Sequence, residues 1–144
     1  MSGLPPHQNV SDVMTTRVHV ASPVTPFKQL VRLIAENRVS AIPIVDQQGM
    51  PVGIVSESDL LLKSAQAGGR VASDVMTSPA ITIPLDTRLG EAARLMQEKN
   101  VRRLVVVDQR GRIAGVVSRS DLLQVLLRAD EDQAATIVRT ARAI

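Results

Sequence analysis

The sequence predicts an α/β (α+β) fold in which one β-α-β-β-α unit occurs twice in tandem, and three observations predict it. Slid by 62 residues, Ser11-Asp12-Val13-Met14-Thr15 falls on Ser73-Asp74-Val75-Met76-Thr77, and register holds without a gap to Leu61 on Leu123, with 21 of 51 pairs identical. Self-similarity of that length is duplication, the mark of a repeat architecture. Each copy carries two continuous apolar runs joined through Asp and Gly, as buried hairpin strands are. Each also carries apolar residues three and four apart, the spacing of an amphipathic helix.

Taken in order, residues 1–9, with Gly3, Pro5 and Pro6, read as a flexible leader. The first repeat is expected over 10–66, a linker over 67–72 and the second repeat over 73–128. Ser11 and Ser73 are placed to cap short helical prefaces, and brief extended pieces follow, Val18-His19-Val20 and Ile81-Thr82-Ile83. Thr25 and Thr87 stand at N-cap positions, with Pro26 at a first helical position where its missing N–H costs nothing. Phe27, Leu30, Val31 and Ile34 form one helical apolar face, and Leu89, Ala92, Ala93 and Met96 the other.

Two strands follow in each copy. Ile42-Pro43-Ile44-Val45 and Leu104-Val105-Val106-Val107 turn through 46–49 and 108–111 and return over 51–55 and 112–117. Closing helices are expected over 57–66 and 119–128, the first stopped by Gly68-Gly69. Residues 129–144 open on Asp130-Glu131-Asp132, which suits a helix dipole, and continue with Ala134, Ile137, Val138 and Ala141 as an amphipathic helical tail.

Composition narrows the function. The chain is 44% hydrophobic and 22% charged, as folded domains are, with no apolar run long enough to cross a membrane and no secretory leader, so a cytoplasmic protein is expected. Zero Cys removes disulfides and thiol chemistry. Lys and Arg exceed Asp and Glu by 6 to 5 in residues 1–72 and by 11 to 9 in 73–144, so positive charge is not clustered. With one Phe and no Trp or Tyr, stacking on bases is nearly lost, and nucleic acid is a poor candidate partner. Only His7 and His19 are present, Asp59 and Asp121 belong to different repeats, and no phosphate-binding glycine loop occurs, so no enzyme and no metal site are expected.

The chemistry gathers at one recurring corner. Gly53-Ile54-Val55-Ser56-Glu57-Ser58-Asp59-Leu60-Leu61 and Gly115-Val116-Val117-Ser118-Arg119-Ser120-Asp121-Leu122-Leu123 each run a strand into a helix start. Hydroxyls and helix N–H groups there suit phosphate oxygens, and an ionised Asp, acceptor-only, suits the vicinal hydroxyls of a ribose. Ser56-x-x-Asp59 and Ser118-x-x-Asp121 also read as plain helix caps, but a second serine in both copies exceeds what a cap requires. By similar reasoning His19 reads as structural, Met14 and Met76 as core fillers, and Arg102 and Arg103 as either solvated edge charges or phosphate forks.

A doubled unit opening on S-D-V-M-T, with a central apolar-Pro-apolar-Val-Asp and a closing G-V-V-S-x-S-D-L-L, resembles a tandem pair of cystathionine-β-synthase (CBS) domains, a Bateman module. The likeness covers about residues 10–128. Asn100-Val101-Arg102-Arg103-Leu104-Val105-Val106-Val107-Asp108 is similar to the γ subunit of AMP-activated protein kinase, which usually has His at the place of Arg102. The resemblance implies two units related by a pseudo-two-fold axis, sheets packed together with helices outside, and two clefts between them for AMP, ADP, ATP or S-adenosylmethionine. It also implies a regulatory homodimer that acts on an effector protein and needs no obligatory cofactor.

Carried over residue by residue, the likeness joins Ser118, Ser120 and Asp121 with Val39, Ser40 and Ala41 and with Arg17, Val18 and His19 in cleft one. It joins Ser56, Ser58 and Asp59 with Val101, Arg102 and Arg103 and with Pro79, Ala80 and Ile81 in cleft two. Cleft one lacks an arginine pair on its own adenine loop, so the two clefts are expected to differ in affinity. The rival expectation is a ligand-independent dimerisation or protein-interaction module, which would show no thermal shift with any nucleotide.

Overall fold

Two hairpins form because their turns are stabilised by chemistry that both copies keep. β1 (Ala41–Val45) pairs antiparallel with β2 (Pro51–Ser56), just as the strands at Arg103–Val107 and Ile113–Ser118 pair with each other. In the first turn Asp46 Oδ1 accepts from the N–H groups of Gln48 and Met50, both at 2.9 Å. In the second, Asp108 Oδ1 accepts from Arg110 and Arg112 at 2.8 and 3.0 Å. Gly49 and Gly111 then take φ of 82° and 79°, a region that L side chains enter only at a cost. The central residues of both first strands are buried on both faces, as their unbroken apolar runs require.

The computed structural model describes residues 3–66 and 70–128. The expectations for Gly68-Gly69 and for residues 129–144 fall outside the described residues. α1 (Phe27–Asn37) precedes β1, and α2 (Glu57–Leu62) follows β2, passing into a 3-10 turn at Ser64–Gln66. The second copy begins with α3 (Ala72–Val75) and β3 (Thr82–Pro84). α4 (Leu89–Lys99) then crosses over to β4 (Arg103–Val107), which lies parallel to β3, and β5 (Ile113–Ser118) leads into α5, helical over 119–128. No helix among the described residues is long and apolar enough to cross a membrane.

The copies are not equal in their first strand. β3 pairs over three residues, whereas the Val18-His19-Val20 strand is absent and Ala21 alone bridges to Ile44. The cause is burial: Val20 is 40% exposed and only Ala21 reaches the core, so extending the pairing would cover little apolar surface. The helix caps differ from expectation too. Thr25 and Thr87 close the turns before α1 and α4, where Thr25 Oγ1 accepts from Ser22 N–H and Thr87 Oγ1 donates to the Pro84 carbonyl. Pro26 and Arg88 occupy the N-cap places instead. Ser11 and Ser73 lie inside their short helices, and the carboxylates of Asp12 and Asp74 accept from Asn9 and Val71 N–H at 2.9 Å. Val31, placed on the buried face by its spacing, is 39% exposed.

Each repeat lends its preface to the other. Val10, fully buried, packs with Ile83, Leu89, Leu104 and Val117 of the second copy, while Ala72 and Val75 pack with Leu30, Ile42, Ile44 and Val55 of the first. Backbone pairing follows the same exchange: Thr15 bridges antiparallel to Val116 on β5, and Thr77 to Ile54 on β2. Residues at the leader's end join in, with Asn9 bridging to Arg88 and Leu4 packed on the second core. The exchanged chain comes so close that a Cβ on Gly53 would lie 2.6 Å from Met76 Sδ, and one on Gly115 2.6 Å from Met14 Sδ and 2.7 Å from the Thr15 carbonyl. Met14 and Met76 thus sit over a glycine, which explains why both copies hold that Met–Gly pair.

Candidate functional site

The register of the hairpins decides what faces the gap between repeats. Ala41 pairs with Ser56 and Arg103 with Ser118, so each loop before a first strand lies beside the corner where the return strand meets its helix. Glu57 N–H donates to the Ser40 carbonyl and Arg119 N–H to the Arg102 carbonyl, fastening helix to loop within each copy at 3.0 and 2.9 Å. The exchanged prefaces then deliver Thr15 and its following residues to the second copy's corner, and Thr77 and its following residues to the first's.

Two cavities result, each walled by both copies. The larger, about 430 Å³, gathers Ser56, Ser58 and Asp59 with Pro79, Ala80, Ile81, Val101, Arg102 and Arg103, the whole set expected for cleft two. The smaller, about 220 Å³, gathers Ser118 and Asp121 with Arg17, Val18, His19, Val39, Ser40 and Ala41. Ser120 does not line it. That serine faces an adjoining hollow with Arg119 and Leu123, and the two hollows share Ser40, Arg103 and Ser118 as their common wall.

Capping and cleft roles coincide at the corners. Ser118 N–H donates to Asp121 Oδ2 at 2.8 Å and Asp121 N–H to Ser118 Oγ at 3.1 Å; Ser56 and Asp59 repeat this at 2.9 and 3.1 Å. Ser56 and Ser118 are therefore engaged as caps, and two of the first three N–H groups of each closing helix are already paired. Ser58 and Ser120 are the exposed hydroxyls. A carboxylate has about four lone-pair sites, so a single capping bond leaves room for two more donors.

The aspartates nevertheless differ. Thr77 Oγ1 donates to Asp59 Oδ1 at 3.5 Å, and Lys63 Nζ, itself donating to the Val75 carbonyl at 2.7 Å, lies 3.9 Å from the same oxygen. Val125 stands where Lys63 would be repeated, and it is buried in the second core, so the lysine beside Asp59 has no counterpart beside Asp121.

Arginines distribute in a way that spacing did not disclose. Arg103 lines both cavities and its guanidinium donates to Ser40 Oγ of the other repeat. Burial and neighbouring Arg102 lower its pKa, and Glu57 acts in the opposite direction. Arg38, left-handed at φ 54° at the end of α1, also lines the smaller cavity. The cavity expected to lack an arginine pair on its own loop therefore carries Arg17, Arg38 and Arg103 against Asp121, while the larger sets Arg102 and Arg103 against Glu57 and Asp59. Among the described residues no three His, Asp or Glu side chains gather as metal ligands.

A doubled sheet-and-helix unit with two clefts shared between the copies defines a class of paired domains. The family model for the CBS domain matches residues 10–65 and 72–128, and the chain belongs to that family as a tandem pair. It is 33% identical over 121 residues to the uncharacterised protein MK0525 of Methanopyrus kandleri, covering 81% of this chain and 62% of that protein. The chain thus spans under two thirds of that relative's length. CBSX2 of Arabidopsis thaliana, solved in complex with AMP, superposes with a TM-score of 0.75 at 34% identity, covering 85% of this chain and 98% of that one. The CBS pair of MJ0100, solved with 5-methylthioadenosine and S-adenosyl-L-methionine, gives a TM-score of 0.77 at 25% identity over 83% and 96% of the two chains.

Proposed function

We propose that this protein is a regulatory CBS pair that senses an adenine nucleotide or other adenosyl ligand in the clefts between its repeats. The observation that carries the reading is the construction of both cavities from both copies, each with one Asp-bearing corner facing the other repeat's exchanged strand. A ligand seated there touches both repeats at once, so its binding energy depends on how they sit. That dependence is the requirement for a sensor, because a ligand shifts an equilibrium only by its difference in affinity between states. The complexes of CBSX2 with AMP and of MJ0100 with methylthioadenosine and S-adenosylmethionine support the choice of ligand class.

Asp59 and Asp121 accept from ribose hydroxyls in this reading, and Arg102, Arg103, Arg17 and Arg38 face phosphate. Charge-assisted bonds of this kind are roughly twice as strong as neutral ones. AMP, ADP, ATP and S-adenosylmethionine are the candidate ligands, none obligatory for folding, and the protein is a non-catalytic cytoplasmic regulator whose output is read by an effector protein. The repeats span 10–66 and 73–128 in this scheme. Isothermal titration of the full chain with these four ligands tests it: micromolar to millimolar binding by at least one is expected, and silence with all four refutes it.

A second reading draws on a separate surface. Leu61 and Leu62 on α2 and Leu123 and Leu127 on α5 are 76%, 83%, 62% and 51% exposed, apolar surface of the kind that a partner chain covers. They favour pairing of two chains into a homodimer, with or without nucleotide. Sedimentation with and without AMP separates the cases, since an interaction module alone predicts the same dimer in both.

A further inference from the structure

We infer that Arg103 couples the two clefts, serving one bound phosphate at a time, so that filling either cleft weakens the other. The inference rests on the binding reading above and adds its regulation. Ser40, Ala41, Ile54 and Arg103 line both cavities, and of these four Arg103 alone is charged. The pseudo-two-fold shift of 62 places Arg103 over Ala41, so the symmetric position in the first repeat holds a methyl group, and among the described residues no second cation lines both cavities.

The side chain is anchored on the shared wall, where it donates to Ser40 Oγ, and on the side of the larger cavity Arg102 opposes its charge more than Glu57 favours it. A phosphate beside Arg102 relieves that opposition and draws the guanidinium from Ser40. The smaller cavity then keeps Arg17 and Arg38 but loses its third positive charge. Conversely, a phosphate in the smaller cavity holds Arg103 at Ser40 and leaves Arg102 alone against Glu57 and Asp59 in the larger one. Coupling between binding sites is reciprocal, so each ligand lowers the other's affinity by the same factor, expected at about tenfold from the usual range of such couplings.

The test titrates AMP into the full-length wild type and into Asp59→Asn and Asp121→Asn, which identify the cleft responsible for each binding event. The affinity of either cleft with its neighbour disabled is expected to be about tenfold tighter than with its neighbour filled. Arg103→Gln should bring that ratio close to one. Ser40→Ala keeps the cation but cuts its anchor, and is expected to tighten AMP in the larger cleft while weakening it in the smaller. This second variant decides the matter if Arg103→Gln folds poorly or if the wild type takes a single AMP. Absence of AMP binding in the wild type overturns the sensor reading and the coupling with it. Binding with a ratio of one in the wild type, or with neither Arg103→Gln nor Ser40→Ala moving any affinity, overturns the coupling alone.

Discussion

Replacing Asp121 by Asn and by Ala separates the two tasks that one carboxylate performs. As a cap, Asp121 accepts from Ser118 N–H at 2.8 Å, and Ala removes that acceptor at a cost of about 1 kcal/mol, or about 4 °C in Tm for a domain of this size. Asn keeps an acceptor oxygen of the same reach, so its Tm should stay within about 1 °C of wild type. As a ligand group the carboxylate has about four lone-pair sites, one already used, which leaves enough for both hydroxyls of a ribose diol. Asn offers one oxygen for both jobs and turns an NH2 toward the sugar. The loss of one charge-assisted bond, about 1.5–3 kcal/mol, predicts AMP binding about 10- to 100-fold weaker in either variant. Differential scanning fluorimetry and isothermal titration on the same preparations check this. If Asp121→Asn and Asp59→Asn both bind AMP as tightly as wild type, the carboxylates are caps and nothing more.

Asp59→Asn should weaken AMP less than Asp121→Asn does, because Lys63 and Thr77 already face Asp59 Oδ1; equal losses in titration would contradict this. Gly115→Ala should lower stability by about 1–3 kcal/mol, since the new Cβ meets a backbone carbonyl at 2.7 Å as well as the Met14 sulfur, and adding Met14→Ala should restore only part of it in urea melts. Val10→Ala should cost about 2 kcal/mol and reduce hydrogen-exchange protection in the second copy's strand at 104–106 before that in the first copy's at 42–44, although Val10 belongs in sequence to the first repeat. Arg38→Asn should raise stability by a few tenths of a kcal/mol by thermal melt, for Arg38 holds φ 54° where the second copy has Asn100 at 53°.

The sequence disclosed what repetition and short-range chemistry control. Asp46-to-Gly49 and Asp108-to-Gly111 announced hairpins because an Asp side chain and a left-handed Gly form that turn locally, and the buried strands followed from unbroken apolar runs. The strand expected at Val18-His19-Val20 does not form because β propensity without burial is not enough, and only Ala21 has anything to cover it. Thr25 and Thr87 each stand one residue before the helix cap, since a threonine that closes a turn and one that caps a helix look alike until the backbone is seen. The exchanged prefaces were not legible at all: S-D-V-M-T shows that two segments are alike but not which sheet each joins. Gly53 and Gly115 held the one available clue, as glycines kept within otherwise β-branched strands signal close approach by another chain. Arg103 gave no such signal, because its partner Ser40 is 63 residues away and the other copy has Ala41 at the matching place.

Exchange of the prefaces also bears on why the clefts can report anything. Were each copy closed on itself, a ligand between them would press on two independent bodies joined by a short linker, and their separation would cost little. Here Thr15 is hydrogen-bonded to Val116 and Thr77 to Ile54, so the strands that floor each cavity are already paired with the chain that forms its rim. Moving one copy relative to the other must break those bonds or carry both cavities along. In the sensor reading a ligand in either cleft acts on the geometry of the whole pair, and α2 and α5, which carry exposed leucines, continue directly from the two Asp-bearing corners. The consequence is measurable: if AMP binds, hydrogen exchange should slow at 57–62 and 119–128 together, and slowing confined to one helix would show that the repeats respond separately.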